Sequence, residues 1–354
     1  MKQCNYMEEM FYLHDIEGAV DFPEKVYVEP TSKCNLNCAI CFRHGWINEK
    51  LGHMSAEHMN KLVDDVKQIP SVKEVFIGGM GEPLCHPNIC KMISALSKDV
   101  HVSLLTNGTM LTEECCVSLV DAGLYMLWVS VDGFDKKSYE SIQRGSCFDS
   151  ITQNLETFNK IRKGQNIKLG ITFVVTPENV DQLRKINEFA DKYEVDELNI
   201  SHMIPGEPIP KDDLIEFYNR QDIPVGKMHR FEPKGNMLPE NVCPFMQQKA
   251  VFVKWNGDIV PCMQLLHSCF TYLYDEQRKI TSYSYGNLSK NALKEVWEDD
   301  EYKAFRKRVN TFYFPFCRVC FGCEDRKENK MDCFLGEAPT CGACLWATGK
   351  VFCP

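Results

Sequence analysis

The chain has 354 residues, is 44% hydrophobic and 25% charged, and carries a formal net charge of −9. That length admits one large domain plus a smaller one, and an acidic balance without a basic block excludes routine nucleic-acid binding, which needs clustered Lys and Arg. No apolar run approaches a membrane span, and the opening Met1-Lys-Gln-Cys-Asn-Tyr-Met-Glu-Glu lacks a signal peptide's apolar segment, so a cytoplasmic protein with no membrane partner is expected.

Residues 1–24 show no strong pattern and read as a leader. Strands and helices then alternate. Lys25–Val28 reads as a short strand, and Ser55 as the cap of a helix whose Met59, Leu62, Val63, Val66 and Ile69 share one face. Strands follow at Val72–Ile77, Val100–Leu105, Tyr125–Val131, Ile167–Val175 and Glu197–His202. Between them, helices are expected from Pro87, from Thr112, from Ser150 and after Pro177. Six successive β-α units imply a parallel sheet with helices outside it: an α/β fold, a partial (β/α)6 TIM-like barrel spanning 25–205. Its site belongs at the carboxyl ends of the strands. The Pro- and charge-rich section 206–242 reads as a bridge. Val251–Cys262 is a hairpin with an Asn256-Gly257 turn, and Ser289 is expected to open a helix. From Cys317 there is little periodicity, so bound metal is expected to organise the tail.

Nineteen cysteines in a chain without an export signal point to metal or Fe–S ligation rather than disulfides. Three stand at C-x3-C-x2-C spacing in the loop after the first strand, Cys34, Cys38 and Cys41. Three thiolates on one short loop hold three corners of a [4Fe–4S] cube and leave one iron open; structural zinc normally takes four ligands from paired knuckles. Cys4, Cys85, Cys90, Cys115, Cys116 and Cys147 lack ligand spacing and read as incidental thiols. Gly78-Gly79-Met80-Gly81-Glu82-Pro83 ends the second strand, where glycines let a ligand approach and Glu82 offers a carboxylate. Asn107 ends the third strand. Ser130 and Asp132 share a face at the end of the fourth, and Ser201, His202 and Met203 end the sixth.

These features resemble the radical S-adenosylmethionine (SAM) enzymes. The resemblance implies that Cys34, Cys38 and Cys41 bind the catalytic cluster. It also implies that Gly79, Gly81 and Glu82 receive SAM's amino group, that Asn107, Ser130, Asp132 and His202 line the nucleoside, and that Arg144 pairs with SAM's carboxylate. Ile40 departs from the aromatic residue usual before the third cysteine. Residues 243–354 resemble a cysteine-rich SPASM/twitch-type domain: Cys243-x13-Gly257-x4-Cys262 fits its start. Cys317, Cys320, Cys323, Cys333, Cys341, Cys344 and Cys353 follow at spacings that match only in the first pair. Two auxiliary [4Fe–4S] clusters are implied, with zinc as the alternative for the tail.

Cys41-Phe-Arg-His-Gly-Trp46 and Pro339–Pro354 are similar to the radical SAM maturases associated with tungsten-cofactor oxidoreductases of the aldehyde:ferredoxin type. The implied activity is reductive cleavage of SAM to a 5′-deoxyadenosyl radical that modifies a protein or its cofactor, supplied with electrons by ferredoxin or flavodoxin. The alternatives are a peptide or sulfatase maturase, and a non-catalytic Fe–S carrier. A carrier gives no reason for Glu82, Ser130, Asp132 and Arg144 at successive strand ends.

Overall fold

Strand alternation sorts the sheet into a helix-covered face and an inner face. The computed structural model describes residues 22–220, 226–229, 241–317, 320, 322–334, 336, 339–347 and 349–354. Cys4, most of the expected leader and part of the expected bridge lie outside the described residues. Strands β1 (Lys25–Val28), β2 (Glu74–Ile77), β3 (His101–Thr106), β4 (Met126–Ser130), β5 (Lys168–Val175) and β6 (Glu197–His202) pair in parallel in chain order. Between them run α1 (Ala56–Lys67), α2 (Ile89–Leu96), α3 (Glu113–Asp121), α4 (Lys136–Ile142), α5 (Phe148–Arg162) and α6 (Ile186–Lys192). Ser55 and Thr112 cap α1 and α3 as expected, accepting from His58 N and Cys115 N. Pro87 does not start α2; Asn88 precedes its first residue. The fifth helix begins at Phe148 rather than Ser150, and α4 was not foreseen.

Phe173 stacks on Phe134, which in turn packs on Phe189 of α6, so Leu169, Ile171 and Phe173 face the helices. Register carries the opposite face across the sheet: Thr172 lies beside Ser130 and Asn199, Trp128 beside Gly170 and Leu105, and Phe76 beside Tyr27. A Cβ on Gly170 would lie 2.3 Å from the Trp128 ring, so glycine is required there for close approach.

The barrel is extended at both edges. β7 (Gly226–His229) pairs antiparallel with β6, and β8 (Ala250–Val253) pairs in parallel with β1. The expected hairpin forms, with β8 antiparallel to β9 (Asp258–Val260) and Gly257 at φ +88°, but it is not separate from the barrel. β8 is buried on both faces, and its Phe252 stacks on Tyr27 with ring centroids 4.3 Å apart. A second hairpin follows, β10 (Cys269–Leu273) with β11 (Glu276–Ile280), and β12 (Gly286–Asn287) closes the ten-stranded order β12-β9-β8-β1-β2-β3-β4-β5-β6-β7. Ser289 caps no helix; its hydroxyl bonds His58 at 2.8 Å. The helices here are α7 (Lys211–Asn219), α8 (Pro244–Gln247), α9 (Leu293–Trp297) and α10 (Asp300–Asn310). Tyr302, Phe305 and Val309 bury one face of α10 against Trp297 and Tyr285. Each such buried side chain stabilises by roughly 1.5–3 kcal/mol.

The segment 350–354 crosses the inner face from β6 to β1. His202 N donates to Lys350 O and Phe352 N to Ser201 Oγ. At the far side Lys25 Nζ and Tyr27 OH donate to Pro354 O at 3.1 and 2.9 Å.

Candidate active site

The cysteine loop is pinned on three sides. Thr31 Oγ1 donates to Gly52 O at 2.7 Å. Ala39 N and Asn37 N donate to the carbonyls of Ile142 and Arg144 at 2.7 and 3.2 Å, which ties the loop to the end of α4. Asn107 Nδ2 reaches Asn35 Oδ1 at 2.9 Å and lies 3.9 Å from Cys34 Sγ. The loop thus sits at the carboxyl ends of β1, β3 and β4. Cys38 is pushed up to about 12 by burial, then by Asp132, Cys41 and Cys34; Cys41 is raised by burial and by Cys34. Both Cys38 and Cys41 feel Cys34, so the three sulfurs stand near one another on the loop.

The glycine turn is built around two carboxylates. Glu29, at the end of β1, accepts from Met80 N at 3.0 Å. A Cβ on Gly79, at φ +97°, would lie 2.6 Å from Glu29 Cγ, and one on Gly81 would lie 2.1 Å from Thr31 O. Glu82 is 2% exposed and points inward. Its Oε1 accepts from Thr106 Oγ1 at 2.7 Å and Leu84 N at 3.0 Å, and its Oε2 from Asn107 N at 2.7 Å. Three protein donors already occupy the carboxylate, so a ligand ammonium has only the remaining lone pair. Burial raises the Glu82 carboxyl against the pull of these donors. Asp132 accepts from Val174 N at 2.8 Å and Ser130 Oγ at 3.4 Å, and burial pushes it to about 7. Arg144 is exposed, with no ion pair among the described residues.

His202 is not brought to the site. Register sets it beside Val175 on the helix-covered face, where its ring meets Phe217 and Tyr218 at 5.0 and 5.2 Å. Ser201, one residue earlier, faces inward, so the expectation for His202 fails by one step of strand alternation.

The distal cysteines form two groups. Cys262, Cys341 and Cys344 line one cleft with Gln264 and Arg278; burial raises the thiols of Cys243, Cys262 and Cys341, and the nearby Cys344 raises each of them further. Cys317 is raised by burial and by Cys333 and Cys323. A Cβ on Gly342 would lie 3.0 Å from Cys317 Sγ, so the groups are neighbours. Cys353 joins neither. It lies in the segment crossing the barrel, where its sulfur accepts from Trp346 Nε1 at 3.3 Å and burial pushes it up to about 11 beside Lys25. The flanking apolar residues Val351 and Trp346 are buried with it.

Residues 28–190 match the Radical SAM superfamily, and residues 243–324 match the SPASM iron-sulfur cluster-binding domain. The chain carries a radical SAM domain followed by a SPASM domain. It is 29% identical over 346 residues to the tungsten-containing aldehyde ferredoxin oxidoreductase cofactor-modifying protein of Pyrococcus furiosus, covering 93% of this chain and 96% of that one. It is also 24% identical over 359 residues to the AdoMet-dependent heme synthase of Methanosarcina barkeri, covering 93% and 98%. The solved structure of native anSMEcpe with bound AdoMet superposes with a TM-score of 0.58 at 20% identity, covering 86% of this chain and 87% of that one, which establishes the fold. No helix among the described residues is long and apolar enough to cross a membrane.

The donors of this radical SAM enzyme fit its cofactors. The loop offers three soft thiols near one another, and the glycine turn beside it has no room for a Cβ. In the SPASM domain Cys262, Cys341 and Cys344 line one cleft, and soft thiols gathered there suit iron–sulfur ligation.

Glu82→Ala leaves the buried donors of Thr106, Leu84 and Asn107 without an acceptor, each costing about 1–3 kcal/mol. The expected outcome is a lower melting temperature together with SAM binding weakened on the order of 30-fold or more. Isothermal titration with SAM checks it, and unchanged affinity would remove Glu82 from the site.

A charged bridge between the domains was not legible beforehand. His267 is 3% exposed and lies between Glu29 Oε1 at 2.9 Å and Glu49 Oε2 at 2.8 Å, with Trp46 stacked on its ring. Lys254 of the hairpin joins Glu49 at 2.8 Å. Burial disfavours the imidazolium, but the bonds to Glu29 and Glu49 outweigh it and raise His267. Burial likewise pushes Glu49 up, and its bonds to His267, Lys254 and Ser268 reverse this and hold it at about 2. A His raised on folding stabilises fully below its unfolded value near 6.5 and loses that stabilisation as pH climbs through the folded value; the lowered Glu49 contributes fully above about 4.5. The melting temperature of the iron-loaded protein should therefore fall as pH rises above about 6.5. His267→Gln should flatten that fall, and parallel melting curves for variant and parent would contradict it.

Proposed function

We propose that this radical SAM enzyme cleaves SAM at a cluster on Cys34, Cys38 and Cys41 and uses the product to modify the tungsten cofactor of an aldehyde-oxidising enzyme, or that enzyme itself. The observation that carries the substrate is the similarity along nearly the whole length of both chains to a protein described by that role. When bound, the cluster and SAM supply a 5′-deoxyadenosyl radical that abstracts hydrogen from the substrate. The chain's own residues bind, orient and shield. Cys34, Cys38 and Cys41 hold three irons, while Gly79 and Gly81 keep the turn low enough for SAM's methionine end. Glu82 braces that turn and offers its last lone pair to the ammonium. Arg144, beside the loop and unpaired among the described residues, takes the carboxylate, and Ser130, Asp132 and Asn107 face the nucleoside. Cys243, Cys262, Cys341 and Cys344 hold one auxiliary cluster. Cys317, Cys320, Cys323 and Cys333 hold the other. A low-potential ferredoxin or flavodoxin supplies the electron.

The test incubates the anaerobic, reduced enzyme with SAM and either a tungsten-pterin oxidoreductase or a cysteine-containing sulfatase peptide. Release of 5′-deoxyadenosine should rise with the first, with a mass change in its cofactor or chain. Stimulation by the peptide alone would replace this substrate with a peptide.

A further inference from the structure

Two guanidiniums lie inside the SPASM domain beside its cysteine groups. Arg278, in the middle of β11, is 5% exposed, and Arg326, in the turn Asp325–Lys327, is 2% exposed. Arg326 has a carboxylate partner: Nε and Nη2 reach Glu276 Oε2 at 2.7 and 2.6 Å, and Nη1 donates to the carbonyl of Cys320. Arg278 has none among the described residues. Its Nε donates to the backbone oxygen of Arg326 at 2.6 Å, and its side chain forms one wall of the cleft shared with Cys262, Cys341 and Cys344. Burial acts most strongly against its charge and the nearby Arg326 adds to that, while Cys344, Cys317 and Cys341 act in its favour.

A buried cation next to a second cation is costly unless an anion faces it. The thiols facing Arg278 supply that anion once they are cluster ligands. Four thiolates around an oxidised four-iron core carry a net charge of about −2, and about −3 after reduction. A fixed positive charge at that wall favours the more negative, reduced form.

We propose that Arg278 is the counter-ion of the auxiliary cluster held by Cys243, Cys262, Cys341 and Cys344, and that it raises that cluster's reduction potential. The inference rests on the cluster assignment under Proposed function. The step is a one-electron reduction of the cluster: one electron enters from the substrate radical in turnover, which is thereby oxidised, or from dithionite in the titration, and no bond of the cluster forms or breaks. A cluster poised upward in this way is suited to receive an electron from a substrate radical rather than to deliver one to the barrel.

The test is a redox titration of the iron-loaded full-length enzyme, reduced stepwise with dithionite and followed by electron paramagnetic resonance. In Arg278→Gln one auxiliary signal should appear at a potential lower by a tenfold or greater change in the reduction equilibrium, about 59 mV for one electron. Arg278→Lys, which keeps the charge, should move it less. The signal of the cluster on Cys34, Cys38 and Cys41 should stay in place. An unshifted auxiliary potential in an Arg278→Gln protein that retains all its iron overturns the inference. If both variants lose four irons, Arg278 is a structural support and the inference is likewise overturned. A parent protein with about four irons instead of about twelve would overturn the cluster assignment itself.

Discussion

Replacing Cys34, Cys38 and Cys41 together by alanine is expected to abolish 5′-deoxyadenosine release while leaving about eight of twelve irons in place, four per remaining cube. The separation follows from the fold. The catalytic loop is anchored through Thr31, Asn37 and Ala39 to groups of the barrel, whereas the distal thiols sit on the SPASM hairpin and tail. Removing the first set vacates no bond of the second. The barrel should also keep its stability, because the loop's anchors, the Thr31 hydroxyl and the backbone of Asn37 and Ala39, are left intact by the substitutions. Iron analysis beside the activity assay checks both halves. A variant that still cleaved SAM would place the chemistry elsewhere, and one that lost all its iron would mean the clusters assemble as a unit.

Stripping the iron is expected to open the C-terminal region between about residues 315 and 345 to protease within the time that the rest stays intact. Sequence pattern alone made the tail from Cys317 onward dependent on metal. The structure gives the residues before it other support. β8 is hydrogen-bonded into the barrel sheet, and α9 and α10 bury Leu293, Val296, Trp297, Tyr302 and Phe305 in the core that continues from the barrel. Between Cys317 and Cys344 the regular structure among the described residues is a single 3₁₀ turn, Asp325–Lys327. Arg308 bonds Asp332 and Arg326 bonds Glu276, but ion pairs of this kind add little without a packed core. Limited proteolysis of chelator-treated protein, read by mass spectrometry, should show first cuts in that window. First cuts between 243 and 314 would mean that the hairpin also depends on iron.

Legibility tracked the range of the interactions involved. The six parallel strands came out within a residue or two of their observed bounds, since alternation and flanking caps are local signals. The Asn256-Gly257 turn and the Cys34 loop were equally local. What escaped were contacts between segments far apart in the chain. Nothing near Ala250 says that it will pair with Lys25, and His267 gave no sign that it would meet Glu29. His202 shows how narrow the margin is: the strand end was right, yet of the residues named there a side-chain period of two turned His202 outward and Ser201 inward. Cys353 was grouped with its neighbours by spacing, whereas burial of Val351 and Trp346 draws its segment into the barrel. The alternation of Cys269–Ile280 would have revealed the β10–β11 hairpin that carries Arg278, had it been sought in a stretch attended to mainly for cysteines.

The most direct measurement is the product analysis of the parent enzyme itself. Reconstituted anaerobically to about twelve irons, reduced with dithionite and given SAM, it should yield 5′-deoxyadenosine and methionine in equal amounts, with neither formed when reductant is omitted. Protein with its full iron that is reduced, binds SAM and still releases no 5′-deoxyadenosine would contradict reductive cleavage at Cys34, Cys38 and Cys41.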